Sequence, residues 1–173
     1  RGPNGSGIAP ASESVPSEWG DDKNLAWKLE LPGPGSSSPI VVGNKVFVTS
    51  FSGYGVDPND PGKLNDLKRH LVCIDATNGT QLWERTVAAT QPEDPYSRML
   101  GEHGYASGTP VSDGERVYAF YGKTGVLAYD LEGRRLRPGR LMTRGIARPR
   151  GLAHRLPRRL LRLGGLAEGG IDG

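Results

Sequence analysis

The sequence predicts an all-β protein made of repeated four-stranded sheets, a partial β-propeller of about two to two and a half blades. Three observations carry this prediction. Gly (26) and Pro (14) are abundant in the 173 residues, which favours dense turns over long helices. Apolar residues recur in short runs with period two, the spacing of half-buried strands. A unit of strand, turn, strand, strand, turn, strand is written twice.

In chain order, residues 1–23 are rich in Gly, Ser and Pro, lack periodicity and read as an extended lead-in. The repeat region then runs over 24–136. Its first run, LAWKLEL at 25–31, reads as a strand with Leu25, Trp27, Leu29 and Leu31 on one face. After the breakers PGPGSSSP, IVVGNKVFVTSF at 40–51 reads as a hairpin through Gly43 and Asn44. A polar insertion, 52–69, precedes a second hairpin, HLVCIDA and TQLWERTV, around the turn TNG. A second insertion, 88–106, leads to the second copy, in which SGTPVSDGERVYAFYG echoes SSSPIVVGNKVFVTSF and Asp130 falls over Asp75. One such sheet cannot bury both of its faces, so neighbouring sheets must stack to form a core.

The motif CIDATNGTQLW, with Cys73, Asp75, Asn78, Gly79 and Trp83 in place, resembles the repeat of pyrroloquinoline-quinone (PQQ)-like β-propellers. Trp27 resembles the same Trp of a preceding blade, and Asp130 and Gly133 the Asp and Gly of a following one. The resemblance implies a parent of seven or eight blades in the bacterial cell envelope, periplasmic or otherwise extracytoplasmic. It implies that Trp27, Asp75, Gly79, Trp83, Asp130 and Gly133 are structural repeat residues. Such repeats serve quinone dehydrogenases, an outer-membrane assembly scaffold and proteins without assigned roles. The expected function is therefore a non-catalytic binding or scaffolding module that reaches protein or small-molecule partners through its loops. The alternative is the N-terminal fragment of a PQQ-dependent dehydrogenase, which would bring PQQ with calcium. No position here matches that enzyme's metal ligands or catalytic Asp, and a single cysteine rules out its adjacent Cys pair.

The repeat calls for Trp at position 137, where the sequence has Arg137. Beyond it, Arg, Gly, Leu, Pro and Ala fill 30 of the 37 positions to 173, without an aromatic residue or a lysine. GC-rich codons read out of frame give such a mixture, so the tail 137–173 is expected to be frame-shifted or disordered. Its nine Arg against two acids carry all of the protein's basicity; residues 1–136 hold 13 Lys or Arg against 17 Asp or Glu. Contact of the tail with an anionic surface, lipid or RNA, is what its charge suggests, although Pro157 and the Gly164–Gly165 pair interrupt any long helix there; no nucleic-acid binding is expected of the acidic body.

Other signals are weaker. DPNDPGKLNDLK, 57–68, imitates a calcium loop but has Lys68 where a bidentate Glu is needed. Glu102 and His103, in the Gly-rich stretch GEHGYASG, are the candidates for a ligand contact. His70 and His154 show no recognisable partners, and no Ser, His and Asp spacing indicates a nucleophilic triad. Cys73 lies in an alternating apolar run and reads as a buried thiol. No apolar run approaches the ~20 residues of a membrane span.

Overall fold

In the computed structural model, Ile8 and residues 16–97 and 99–137 are described, and all lie within the unit Arg1–Met142. They form two antiparallel sheets. The first has the order β1 (Ile40–Val42), β2 (Lys45–Ser52), β3 (Lys68–Asp75), β4 (Gln81–Ala88). After a short helix, α1 (Met99–His103), the second follows as β5 (Val111–Ser112), β6 (Arg116–Phe120), β7 (Val126–Asp130). The pairing of a fourth strand begins beside β7, where the Leu136 N–H donates to the Ala128 carbonyl and Tyr129 bridges to Arg135. The architecture is that of a partial propeller. The tail reading falls, apart from Arg137, outside the described residues, as does the lead-in before residue 16 apart from Ile8.

Register explains how alternation becomes a core. Phe47, Cys73 and Trp83 lie opposite one another across β2, β3 and β4, so their side chains share one face, as do those of Thr49, Leu71 and Arg85. That face meets Val117, Ala119, Leu127 and Tyr129 of β6 and β7, and together with Tyr121 they make one buried cluster. Trp83 packs against it, its ring centroid 5.7 Å from that of Phe47 and 6.4 Å from that of Tyr129. The opposite face of the second sheet carries Val111, Phe120 and Val126, which are 60, 57 and 60% exposed. An apolar face without a cover is what an unclosed stack of sheets leaves.

The predicted strand at 25–31 is corrected. Trp27, Leu29 and Leu31 do alternate with more exposed neighbours, but the segment belongs to no sheet. Alternation selects a face; a strand also needs a neighbour for its N–H and C=O groups, and no described strand runs beside this one. The first insertion comes out slightly shorter than predicted, because β2 extends to Ser52 and β3 starts at Lys68.

Antiparallel order sends alternate connections to opposite ends. At one end the turns are tight, through Gly43 (φ +58°) between β1 and β2 and through residues 76–80 between β3 and β4. The other end carries the long connections, 53–67 and 89–110, and the 121–125 turn of the second sheet. There a second cluster, Phe51, Tyr54, Leu67, Tyr105 and Ala106, ties the loops to the first sheet. Tyr96 N–H donates to the Tyr54 hydroxyl at 2.9 Å, and the Tyr105 hydroxyl to the Asp94 carbonyl at 2.8 Å. The long loops are thus packed rather than loose.

Cys73 is fully buried at the seam between the sheets, and desolvation pushes its thiol up to about 11. The folded protein is therefore expected to resist iodoacetamide at mildly alkaline pH and to be alkylated readily once unfolded in urea. Alkylation of the folded protein at the rate of a free thiol would show that the seam does not close over Cys73.

Candidate functional site

At the tight-turn end, two seams are built alike. Asp75 closes its turn by accepting the Thr77 N–H at 2.8 Å and the Asn44 side-chain amide at 3.1 Å, while Gly79 N–H donates to the Asp75 carbonyl. The Thr77 N–H is the chief cause that holds the Asp75 carboxyl below its ordinary range. Asp130 repeats the turn, accepting from the Glu132 N–H at 3.1 Å and from the Arg134 N–H and Nε at 2.7 Å each. Partial desolvation pushes the Asp130 carboxyl up, but these donors outweigh it and its pKa is lowered.

Each turn receives a tryptophan. Trp27 Nε1 donates to the Ala76 carbonyl at 2.9 Å, and Trp83 Nε1 to the Leu131 carbonyl at 3.0 Å, in both cases the residue after the turn Asp. Each indole also lies on the turn glycine. A Cβ on Gly79 (φ +74°) would come within 2.6 Å of the Trp27 ring, and one on Gly133 (φ +81°) within 2.7 Å of the Trp83 ring. Glycine is needed here twice over, for its backbone conformation and for the close approach of the ring. Arg85 completes the second seam, its guanidinium 5.4 Å from the Trp83 ring centroid and its Nε donating to the Gly133 carbonyl. The six repeat residues are thus brought together as Trp27 with Asp75 and Gly79, and Trp83 with Asp130 and Gly133.

At the long-loop end lies a cavity of about 350 Å³. Its floor is an ion pair, Arg69 Nη2 to Glu93 Oε2 at 2.6 Å, with both side chains almost wholly buried. Arg69 Nε donates to the Tyr105 carbonyl at 3.1 Å, and its guanidinium stands 5.7 Å from the Tyr105 ring centroid. At the rim a second pair, Lys123 Nζ to Asp94 Oδ1 at 2.6 Å, links the 121–125 turn to the long loop and stays open to solvent. Phe120, Leu100 and Ser107 add apolar and hydroxyl surface. Sequence reasoning passed over Arg69. The signal was present, because period two puts it on the same face as Leu71 and Cys73, where a charge requires a buried partner.

Residues 63–161 match the family described as Outer membrane protein assembly factor BamB, a PQQ-like repeat. The chain belongs to this PQQ-like repeat family. No curated protein matches it. The matched residues include both turn aspartates, both turn glycines and Trp83, while Trp27 lies upstream of them.

Other predicted candidates of this PQQ-like repeat chain lie apart from the seams. Glu102 and His103 are exposed on α1; neither side chain makes a hydrogen bond or ion pair among the described residues, while the His103 carbonyl accepts from Ser36 Oγ at 2.7 Å. Neither side chain lines the cavity. The reading of His70 as partnerless is corrected. On the face of the first sheet away from the seam, His70 Nδ1 lies 2.7 Å from Glu84 Oε1 and Nε2 lies 2.8 Å from Ser52 Oγ. Side chains from three adjacent strands, β2, β3 and β4, meet there because register places Ser50, His70 and Thr86 in one row. Spacing in sequence cannot reveal such a meeting, since Ser52 and Glu84 lie 18 and 14 residues from His70. Asp57 and Asp60, in the loop that imitated a calcium site, accept the N–H groups of Asn59 and Gly62. No group of three or more His, Cys, Asp or Glu side chains that could hold a metal ion occurs among the described residues.

The seam geometry sets a stability test. Gly133→Ala combines a left-handed backbone with a ring clash and is expected to cost about 2 kcal/mol or more in urea unfolding. Gly43→Ala, at φ +58° with nothing within 4 Å, meets the backbone penalty alone and is expected to cost about 1 kcal/mol. Equal costs would mean that the Trp83 ring does not press on Gly133.

Proposed function

We propose that this chain is a binding or scaffolding module of the cell envelope, and that the long-loop end of its sheets is the contact surface. The observation that carries the reading is the division between the two ends. One is closed by short turns and docked indoles, whereas the other gathers both long connections around a charged, partly apolar cavity. Binding sites concentrate on loops held by a rigid scaffold, and here the scaffold is the pair of stacked sheets. The family's description as an outer-membrane assembly factor favours a protein-contact role in the periplasm. No helix among the described residues is long and apolar enough to cross a membrane.

We favour this reading over a PQQ-dependent dehydrogenase because no position of the sequence matches that enzyme's metal ligands or catalytic Asp. The single cysteine of the sequence, buried at the seam, leaves that enzyme's adjacent Cys pair without a counterpart.

Photo-crosslinking in the cell envelope tests the reading. A photoreactive residue at exposed position Ser107, on the cavity, is expected to give discrete adducts, and one at exposed Glu115, beside a tight turn, to give none. Adducts from position 115 alone, or dye reduction by the purified chain on addition of PQQ and calcium, would overturn it.

A further inference from the structure

We propose that the cavity floored by Arg69 is a carboxylate site that takes an acid bearing an apolar or aromatic group, either a free small molecule or the C-terminal residue of a peptide. The inference rests on the reading of the long-loop end as a contact surface and names the chemistry it recognises. Its starting point is the Arg69 guanidinium, whose side chain is only 3% exposed and which lines the cavity. Arginine carries five N–H donors. One goes to the Tyr105 carbonyl at 3.1 Å, one to Glu93 at 2.6 Å, and a third reaches Thr124 Oγ1 only at 3.5 Å. Two have no acceptor among the described residues. Buried N–H groups without acceptors are costly, and a planar carboxylate is the acceptor best matched to a guanidinium fork.

The remaining lining fits the same ligand. Lys123 stands at the rim, 45% exposed, held by an Asp94 that is itself 60% exposed. An exposed pair of this kind is worth little, so Asp94 can turn to solvent while Lys123 swings to an incoming carboxylate. Glu93 does not compete for the rim, because Oε2 is bound to Arg69 and Oε1 accepts the Asp94 N–H at 3.0 Å. Phe120, 57% exposed, and Leu100 supply the apolar wall for the body of the acid. The volume, about 350 Å³, lies at the small end of ligand cavities, roughly 300–1,000 Å³, and suits one side chain with its carboxylate.

Titration calorimetry on the full chain, at low and high salt, tests the assignment with three probes: 3-phenylpropionate, a capped tripeptide ending in Phe with a free carboxylate, and the same tripeptide as its amide. One or both acids are expected to bind and the amide not to. Binding should weaken about tenfold or more in Lys123→Met and at high salt, weaken in Phe120→Ser, and stay unchanged in Glu115→Gln at the opposite end. Tighter binding of the tripeptide than of the free acid identifies a peptide terminus as the source, and the reverse a small molecule. Equal binding of the amide, no binding of either acid at millimolar concentration, or indifference to Lys123→Met would overturn the proposal. If neither acid binds while crosslinks still form from position 107, the carboxylate assignment falls and the binding-module reading stands.

Discussion

The structure depends on the seating of a tryptophan from one sheet on the turn of the next. A four-stranded sheet has two faces and can bury neither alone, so the fold exists only where consecutive sheets are held in register with each other. Trp83 does this with two contacts at once. Its ring covers Gly133, and its N–H ties the Leu131 carbonyl, which also accepts from Lys45 Nζ at 2.8 Å. The indole N–H finds an acceptor while its apolar ring covers the turn glycine, so the tryptophan itself leaves no buried donor behind. Once the ring is seated, Phe47, Cys73 and Tyr129 are brought together, and the apolar cluster at the seam follows.

Much of this was legible because it is written locally. The Asp, Gly and Trp of the repeat stand within nine consecutive residues, 75–83, and their turn closes by contacts between near neighbours. The doubling of the unit foretold two stacked sheets. The partner of each tryptophan was not legible, since Trp27 meets Ala76 and Trp83 meets Leu131 at separations of 49 and 48 residues. Pattern also overreached at 25–31, where alternation exists without a ladder. At the long-loop end, Arg69 and Glu93 are 24 residues apart, joined by a loop whose course no periodicity describes. Ser52, His70 and Glu84 escaped for a related reason: three strands must be in register before they meet. Glu102 and His103 drew notice by composition, but they are exposed and do not line the cavity.

The same topology separates stability from recognition. Tight turns at one end carry the seams, and their carboxylates spend their hydrogen-bonding capacity on the backbone and on neighbouring side chains. At the other end, polar groups are left in a cavity: a guanidinium with unused donors, a solvent-accessible ion pair and an exposed aromatic ring. Arg69 joins the two, because it projects from the seam face of β3 yet forms the cavity floor. Substitutions at the loop end can therefore alter contacts while the stacking of the sheets persists, which is what a repeat scaffold with variable loops requires.

The three indole N–H groups offer the most direct measurement. Hydrogen exchange of their NMR signals is expected to show Trp27 and Trp83 protected, because each donates to a carbonyl of the following turn, and Trp19, 78% exposed, exchanging at the rate of a free indole. Exchange of Trp83 as fast as that of Trp19 would mean that the indole is not seated at the seam, and the account of how the sheets are held together would fail.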